Sequence, residues 1–471
     1  MSDVISLKPR EDIGLPSRLA DSAKRTAGVQ MRMDEFDAWL AERAAAHDFT
    51  VDRIPFSGLR GWHFENDIGN LVHDSGRFFS VEGLCLRTPG CADRFQPIIN
   101  QPEVGILGIL VKEFDGILHF LMQAKMEPGN PVPLMLSPTV QATRSNYTQV
   151  HRGSPVRYLE YFTGRRPARV MADVLQSEHG DWFYRKRNRN MLVEADADDV
   201  VPPADDFCWL TLGQINALLA RDNVINMDSR TVLACLPLGG PGAESADRFG
   251  RSLTASRDPD AGAVSTMAEL LSWFTGLRTE CRLDAGRLPL GALPGWHRDD
   301  KEISRDDGRR FRVVAVDVRA GNREVTSWSQ PLIEPVGTGL SAFLVREFDG
   351  VLHVLVRART EGGFLDGVEL GPTVQCMSAC ELEEETSPFL ARIPAAGSPL
   401  IRYEALHAEE GGRFLNAVSR YVIAEADGPA PGALPPDHAW VTVGQLTALL
   451  RHSQYVDVQA RTLVACLNSL G

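Results

Sequence analysis

Ser137-Pro138-Thr139-Val140-Gln141-Ala142-Thr143-Arg144-Ser145-Asn146-Tyr147-Thr148-Gln149-Val150-His151-Arg152-Gly153 gathers amides, hydroxyls, a phenol, an imidazole and two guanidiniums into one polar run. Pro138 restricts Ser137 to an extended conformation and Thr139-Val140 is a β-prone pair, so the chain from Gln141 is expected to leave a strand end as an exposed loop or a helix start. The first half of the run recurs: Gly371-Pro372-Thr373-Val374-Gln375 stands 234 positions further on. The same spacing joins Trp39 to Trp273, Trp62-His63 to Trp296-His297, Gln96-Pro97 to Gln330-Pro331, and Glu113-Phe114-Asp115-Gly116 to Glu347-Phe348-Asp349-Gly350. After a small length change the spacing becomes 231, linking Phe183 with Phe414, Arg189 with Arg420, Trp209 with Trp440, Gly213-Gln214 with Gly444-Gln445, and Arg230-Thr231 with Arg461-Thr462. Uncommon residues repeating in one order point to a tandem duplication of a unit of roughly 200 residues, large enough to bury its own core.

The expected organisation is a first copy over 29–237, a linker over 238–262 that is rich in Gly, Pro, Ser and Asp, and a second copy over 263–471. Residues 1–28, polar and broken by Pro9 and Pro16, are expected to be a poorly fixed lead-in. Phe36, Trp39 and Leu40 recur at helical spacing and predict a helix over 33–46, with its counterpart near 267–275. Gly105–Val111 and Ile117–Ala124 read as a hairpin about the Asp115-Gly116 turn, repeated about Asp349-Gly350. Strands apolar on both faces need a helix to cover them, and the stretches after Thr211 and Thr442 are the expected covers, each capped by its threonine. Each unit is thus expected to be a mixed α+β sandwich.

A formal net charge of −13 makes the chain a poor partner for nucleic acid or an anionic membrane. The N-terminus has no basic-then-apolar pattern and no apolar run approaches the roughly 18 residues of a membrane span, so a cytoplasmic protein is expected. The eight cysteines are scattered, without a Cys-x-x-Cys pair, and Cys235 and Cys466 occupy equivalent apolar positions, which favours packed thiols over ligands. No His-Glu-x-x-His, acidic calcium loop, Walker loop or Gly-x-Gly-x-x-Gly is present, so neither a metal nor a cofactor is expected.

A second polar cluster, Trp182-Phe183-Tyr184-Arg185-Lys186-Arg187-Asn188-Arg189-Asn190, precedes a β-prone end. In an alternating strand Arg185, Arg187 and Arg189 share one face, suited to a diphosphate, while Lys186 and Asn188 share the other; a charged edge strand is the competing reading. Tyr158 and Glu160 lie in an alternating polar and aromatic stretch that suits a base, a sugar or simply core. Lys125 and Glu127, at the end of the hairpin's second strand, either face the same pocket or form a surface ion pair.

Gln123-Ala124-Lys125-Met126-Glu127-Pro128-Gly129-Asn130, the Ser137–His151 run, Trp182–Glu194 and Asn226-Met227-Asp228-Ser229-Arg230-Thr231 resemble the signatures of the NDP-hexose 2,3-dehydratases of antibiotic deoxysugar biosynthesis. The resemblance runs from about Phe36 to Leu467. It implies a duplicated Nudix-like α+β fold, a homodimer, dTDP-4-keto-6-deoxy-D-glucose as substrate, and a product that passes to a 3-ketoreductase. The implied chemistry removes water across C2 and C3. The 4-keto group acidifies the C3 proton for a side-chain base, an acid assists the leaving 2-hydroxyl, and the enol tautomerises to a 3,4-diketo-2,6-dideoxy sugar without a redox cofactor.

Thr139, Gln141, Arg144, Ser145 and Asn146 are the expected substrate contacts of the polar run, with Gln141, Arg144 and Asn146 as donors to the enolate. Tyr147 and His151, four apart, are the first candidates for the proton transfers, set against a packing role for Tyr147 and a phosphate or loop contact for His151; Glu127 and Glu160 come next. Gln375 and Arg420 are the second-copy counterparts. The second copy continues Cys376-Met377-Ser378-Ala379-Cys380-Glu381-Leu382-Glu383-Glu384-Glu385 where the family pattern has an Asn-Tyr pair, so catalysis is expected in the first copy. The alternatives are a metal-dependent Nudix-type hydrolase, of whose helix Cys380–Ser387 keeps only a Glu-Leu-x-Glu-Glu core, and a non-catalytic nucleotide-sugar-binding protein.

Overall fold

A computed structural model describes residues 8–9, 12, 14–143, 156–238, 247–321, 325–385, 387–427 and 434–471. Over the described residues the architecture is mixed α+β, built on four sheets. The hairpin Gly105–Phe114 and Ile117–Met126 closes on Asp115 (φ 49°) and Gly116 (φ 79°), the left-handed pair that matches strand twist. It sits at the centre of an eight-stranded sheet, flanked by Arg187–Ala195, which runs parallel to Gly105–Phe114, and by Phe207–Thr211. The second half repeats this order in a seven-stranded sheet around Gly339–Phe348 and Val351–Thr360, with Val418–Glu425 parallel to the first and His438–Thr442 beside the second.

Helices Leu212–Leu219 and Val443–Leu449 cover these sheets and start as expected: Thr211 and Thr442 accept the amides of Gln214 and Gln445, whose side chains return to the threonine amides. The helix at Met33–Ala46 has the expected bounds, and its counterpart runs further than expected, over Met267–Glu280.

Two stretches expected to lack structure carry helices. Leu15–Lys24 lies inside the supposed lead-in, with Pro16 in its first turn, where no amide bond is lost, and Leu15 and Leu19 buried. Arg18 anchors it, donating to Glu113 at 2.6 and 2.9 Å and to Glu194. Arg248–Ala255 lies inside the supposed linker, with Phe249 and Leu253 buried. Leu19 and Leu253 are 234 apart, as are Ser22 and Ser256, whose hydroxyls accept from the amides of Leu212 and Val443. These helices therefore belong to the repeating pattern, which begins before residue 29. Residues 1–7 and 239–246 lie outside the described residues.

The halves exchange strands. Phe49–Ile54 of the first pairs with Phe311–Ala320 of the second, while Asp284–Leu288 of the second pairs with Ser80–Arg87 of the first. The exchange is reciprocal in its smaller contacts: Trp62 Nε1 donates to Ser329 O at 2.9 Å, and Trp296 Nε1 to Phe95 O at 2.7 Å. Gly129 N donates to Gly411 O and Gly363 N to Gly180 O, both at 2.7 Å. A Cβ on Gly129 would lie 1.7 Å from Phe414 O, and one on Gly363 1.8 Å from Phe183 O, so only glycine admits the two loops. One continuous apolar core, from Leu19 and Phe36 through Leu210 to Val441 and Leu463, runs through both halves. Among the described residues no helix is long and apolar enough to cross a membrane.

Candidate active site

Where the central hairpin meets the loop at Gly411, the described residues enclose a cavity of about 590 Å³, a size suited to a small-molecule site. The strand Ile117–Met126 places Lys125 at its end and Glu127 just beyond, and the short strand Val140–Ala142, paired antiparallel on Gly105–Phe114, brings Gln141 opposite. Lys125 Nζ donates to Gln141 Oε1 at 2.9 Å, Gln141 Nε2 donates to Glu127 Oε1 at 2.7 Å, and Lys125 Nζ lies 3.9 Å from the same oxygen. The amide thus separates ammonium from carboxylate and fixes both. Thr139 stands outside the cavity; its hydroxyl donates to Leu121 O and accepts from Leu110 N at 2.8 Å, which locks the strand that carries Gln141.

Of the basic cluster, the cavity receives Lys186 and Asn188. Asn188 donates to Glu178 Oε1 at 2.7 Å and accepts from Gly105 N at 3.1 Å. Lys186 Nζ donates to Glu103 O, and burial pushes its ammonium down to about 8 against the pull of Glu178. Arg187 and Arg189 do not line it; Arg189 grips Asp173 with two bonds of 2.7 and 2.6 Å on the other strand face. Arg185 has a left-handed backbone (φ 52°) ahead of the strand, so the expected row of three arginines is broken.

Tyr158 and Glu160 also lie away from the cavity. The Tyr158 hydroxyl donates to Pro202 O at 2.9 Å and accepts from Ala204 N at 3.0 Å, and Glu160 lies 3.9 Å from Arg166. Arg144, Ser145, Asn146, Tyr147 and His151 lie outside the described residues.

Sequence reading missed the rest of the lining. Asp228, in the first turn of the helix Met227–Leu233, forms the floor with Glu178. Burial drives the Asp228 carboxyl well above the usual range, and the neighbouring Glu410, Glu178 and Glu127 push the same way. The second half contributes Trp328, Gln330, Glu410 and Arg413 to the lining. Gln330 Nε2 donates to Gly412 O at 2.7 Å, and Arg413 Nε donates to Gln101 Oε1 at 3.1 Å while its guanidinium stacks 4.2 Å over Phe79. Trp62, His73, Phe78 and Phe79 make an aromatic mouth, with Trp62 and Phe79 centroids 4.9 Å apart and His73 and Phe78 4.4 Å apart. Charged groups and aromatic faces lining one cavity suit an amphiphilic ligand with a polar, reactive end. Among the described residues no group of three or more His, Cys, Asp or Glu side chains is arranged to hold a metal ion.

The second half keeps the core of this arrangement. Gln375 Nε2 donates to Glu361 Oε1 at 3.2 Å, and Arg359, in the place of Lys125, lies 3.3 Å from Glu361. The surroundings differ. His179, Gln459 and Met377 stand where the first cavity has Glu410, Asp228 and Thr143, and they fill the space against one another. Gln459 Nε2 donates to His179 Nδ1 at 2.6 Å and approaches Met377 Sδ at 3.4 Å, while His179 Nε2 lies 3.3 Å from Glu409. Arg420 is held by Glu404 at 2.6 Å. The Glu-Leu-x-Glu-Glu core falls on the helix Ala379–Glu384, whose Glu383 and Glu384 pair with Arg309 at 2.7 and 3.3 Å.

The family model described as NDP-hexose 2,3-dehydratase matches residues 33–236 and 267–467. Three curated relatives share the name dTDP-4-dehydro-6-deoxy-alpha-D-glucopyranose 2,3-dehydratase. The Amycolatopsis orientalis protein is 52% identical over 98% of this chain and 96% of its own. The Saccharopolyspora spinosa protein is 50% identical over 96% and 95%, and the Streptomyces violaceoruber protein 48% over 92% and 97%.

Proposed function

The chain belongs to the NDP-hexose 2,3-dehydratase family, and we propose that it is a hydro-lyase that removes water across C2 and C3 of dTDP-4-keto-6-deoxy-D-glucose. The substrate is that of the three relatives by name, each matched over more than nine-tenths of its length. The observation that carries the site assignment is the Lys125–Gln141–Glu127 chain of hydrogen bonds at the wall of the cavity.

In this reading the sugar enters with its 4-keto oxygen toward the Lys125 ammonium and C3 toward the Glu127 carboxylate. As Glu127 takes the C3 proton, negative charge develops on O4. A fixed cation there, in a site screened from water, stabilises that charge more than it stabilises the neutral ketone. Gln141 holds the two groups at a set separation, so little reorganisation accompanies the proton transfer. Arg144, Ser145, Asn146, Tyr147 and His151 remain candidates for further contacts and transfers. The enol that forms ketonises to the 3,4-diketo-2,6-dideoxy sugar. A vicinal diketone of that kind is reactive, which suits prompt reduction at C3 by a ketoreductase.

Each half, a mixed sheet with helices over it, is compatible with a Nudix-like unit arising by duplication. The implied homodimer and cytoplasmic setting belong to the same reading, and sedimentation of the purified chain tests the first. The decisive experiment incubates the protein with dTDP-4-keto-6-deoxy-D-glucose, with and without EDTA, and follows dehydration products. Dehydration product that survives chelation is the expected result; magnesium-dependent cleavage to dTMP and a sugar phosphate favours the hydrolase reading, and no dehydration product rejects the assignment.

A further inference from the structure

The loop Glu410-Gly411-Gly412-Arg413 belongs to the second half of the chain yet stands in the wall of the first half's cavity. Its approach is as close as backbone allows: a Cβ on Gly411 would lie 2.0 Å from Asn130 Oδ1 and 3.1 Å from Glu127 Cβ. The glycine thereby lets Glu410 reach the neighbourhood of Glu127. Glu410 is half-buried: its Oε1 accepts from Gly412 N at 3.0 Å, while its Oε2 is shielded from solvent and makes no hydrogen bond to protein. A buried carboxyl oxygen left without a partner is costly, and one that lines a cavity is satisfied by what the cavity receives.

Resting on the dehydratase reading above, we propose that Glu410 is the acid that protonates the departing 2-hydroxyl, opposite Glu127 as base. The step balances with one shared proton. Glu127 takes the C3 proton and the C–H pair forms the C3=C4 bond of the enolate. The O4 lone pair then re-forms the ketone, the C3=C4 pair moves to C2=C3, and the C2–O bond breaks as Glu410 gives its proton to the leaving oxygen, releasing water. Ketonisation resets both groups: protonated Glu127 delivers a proton to C2 while Glu410 takes the one on the C3 hydroxyl.

The electrostatics agree with a protonated partner. Glu127 and Lys125 from the hairpin, Glu178 and Lys186 from the first half, Asp228 and, from its own loop, Arg413 face Glu410, and the neighbouring carboxylates disfavour a charge on it. Burial pushes Glu410 up to about 7, with Glu127 and Glu178 adding to the rise and Arg413 opposing it. Asp228 is driven well above its usual range, so it holds its proton, whereas an acid that must give and regain one works best near the ambient pH. The chain supplies an internal comparison. Around Gln375 and Glu361 of the second half, His179 of the first stands where Glu410 stands here, closed in by Gln459 and Glu409.

The test is Glu410→Gln with dTDP-4-keto-6-deoxy-D-glucose in deuterated solvent. Product formation is expected to fall by about 10²-fold or more, as for loss of a general acid, while enzyme-dependent exchange at C3 persists and Glu410→Asp recovers part of the product. Wild-type product formation in Glu410→Gln, or parallel loss of exchange and product in a folded variant, overturns the assignment. Should Glu410→Gln not fold, the wild-type profile decides: product falling above about pH 7 while exchange persists supports Glu410, and the two falling together overturns it. Wild-type enzyme showing neither exchange nor product overturns the dehydratase reading itself, which separates that failure from a failure of Glu410.

Discussion

Gln141 and Gln375 occupy equivalent positions and each donates Nε2 to a glutamate, but only Gln141 also accepts from a cation, Lys125, so substituting each isolates what that bridge and its surroundings do. Gln141→Ala removes the spacer between Lys125 and Glu127 and leaves a buried carboxylate short of a partner, which costs about 1–3 kcal/mol. The expected outcome is roughly a tenfold to hundredfold loss of kcat/KM, with Gln375→Ala close to wild type; equal losses in steady-state assays on folded protein would contradict catalysis in the first half. The cations divide in the same way. Arg413 lines the cavity over Phe79, and Arg189 is held by Asp173 on the other strand face. Arg413→Ala is expected to weaken dTDP binding by about 1.5–3 kcal/mol, the worth of a charge-assisted hydrogen bond, and Arg189→Ala to leave it little changed. Calorimetric titration checks both, and the reverse ranking would place the diphosphate on the face that the alternation of Arg187 and Arg189 suggests.

At the scale of elements, a buried histidine ties each hairpin to the chain entering its half. His119 Nδ1 donates to Ile117 O at 2.9 Å and Nε2 accepts from Val29 N at 3.3 Å; His353 does the same with Val351 O at 3.0 Å and Val264 N at 3.1 Å. Both rings are neutral in this arrangement, and burial holds both below their ordinary value of 6.5. The unfolded chain therefore takes up protons before the folded one does as pH falls through 6.5, and the folded state loses stability until its own lower pKa is passed. Denaturation midpoints should drop between about pH 7 and pH 5.5, and the drop should be shallower in a His119→Gln, His353→Gln double variant; an unchanged slope would show that the rings do not titrate differentially.

At the scale of the molecule, the strand exchange makes each half incomplete without the other. Two buried arginines seal the junction: Arg230 donates to Ile225 O at 2.5 Å and Ala408 O at 2.6 Å, Arg461 to Val456 O at 2.6 Å and to Ser177 O, and each also reaches the threonine that follows the other. Guanidiniums satisfied by carbonyls across the junction resist separation, since opening it strands both. Urea unfolding followed by tryptophan fluorescence and by circular dichroism is expected to give one coincident transition; two resolved transitions, or stable folding of residues 1–237 alone, would contradict this coupling.

How much was legible without coordinates follows from the range of the interactions involved. The repeat is written in matching residues at a fixed spacing, and the Asp115-Gly116 and Asp349-Gly350 turns, the Thr211 and Thr442 caps and the helix from Met33 to Ala46 are set by residues within a few positions of one another, so the sequence determined them. It also drew attention to Lys125, Glu127 and Gln141, because strand and spacing place them near one sheet end. The helices Leu15–Lys24 and Arg248–Ala255 escaped because they are short and polar on one side; burial against the hairpins, not local pattern, holds them. The strand face was decided by tertiary structure too: the left-handed backbone at Arg185 and the parallel register on Gly105 turn Lys186 and Asn188 inward. So was the second half's share of the lining, since Glu410 comes near Glu127 only through the exchange of strands and loops between halves. The raised Asp228 and Glu410 carboxyls are products of desolvation and mutual repulsion, and both require a folded enclosure to exist.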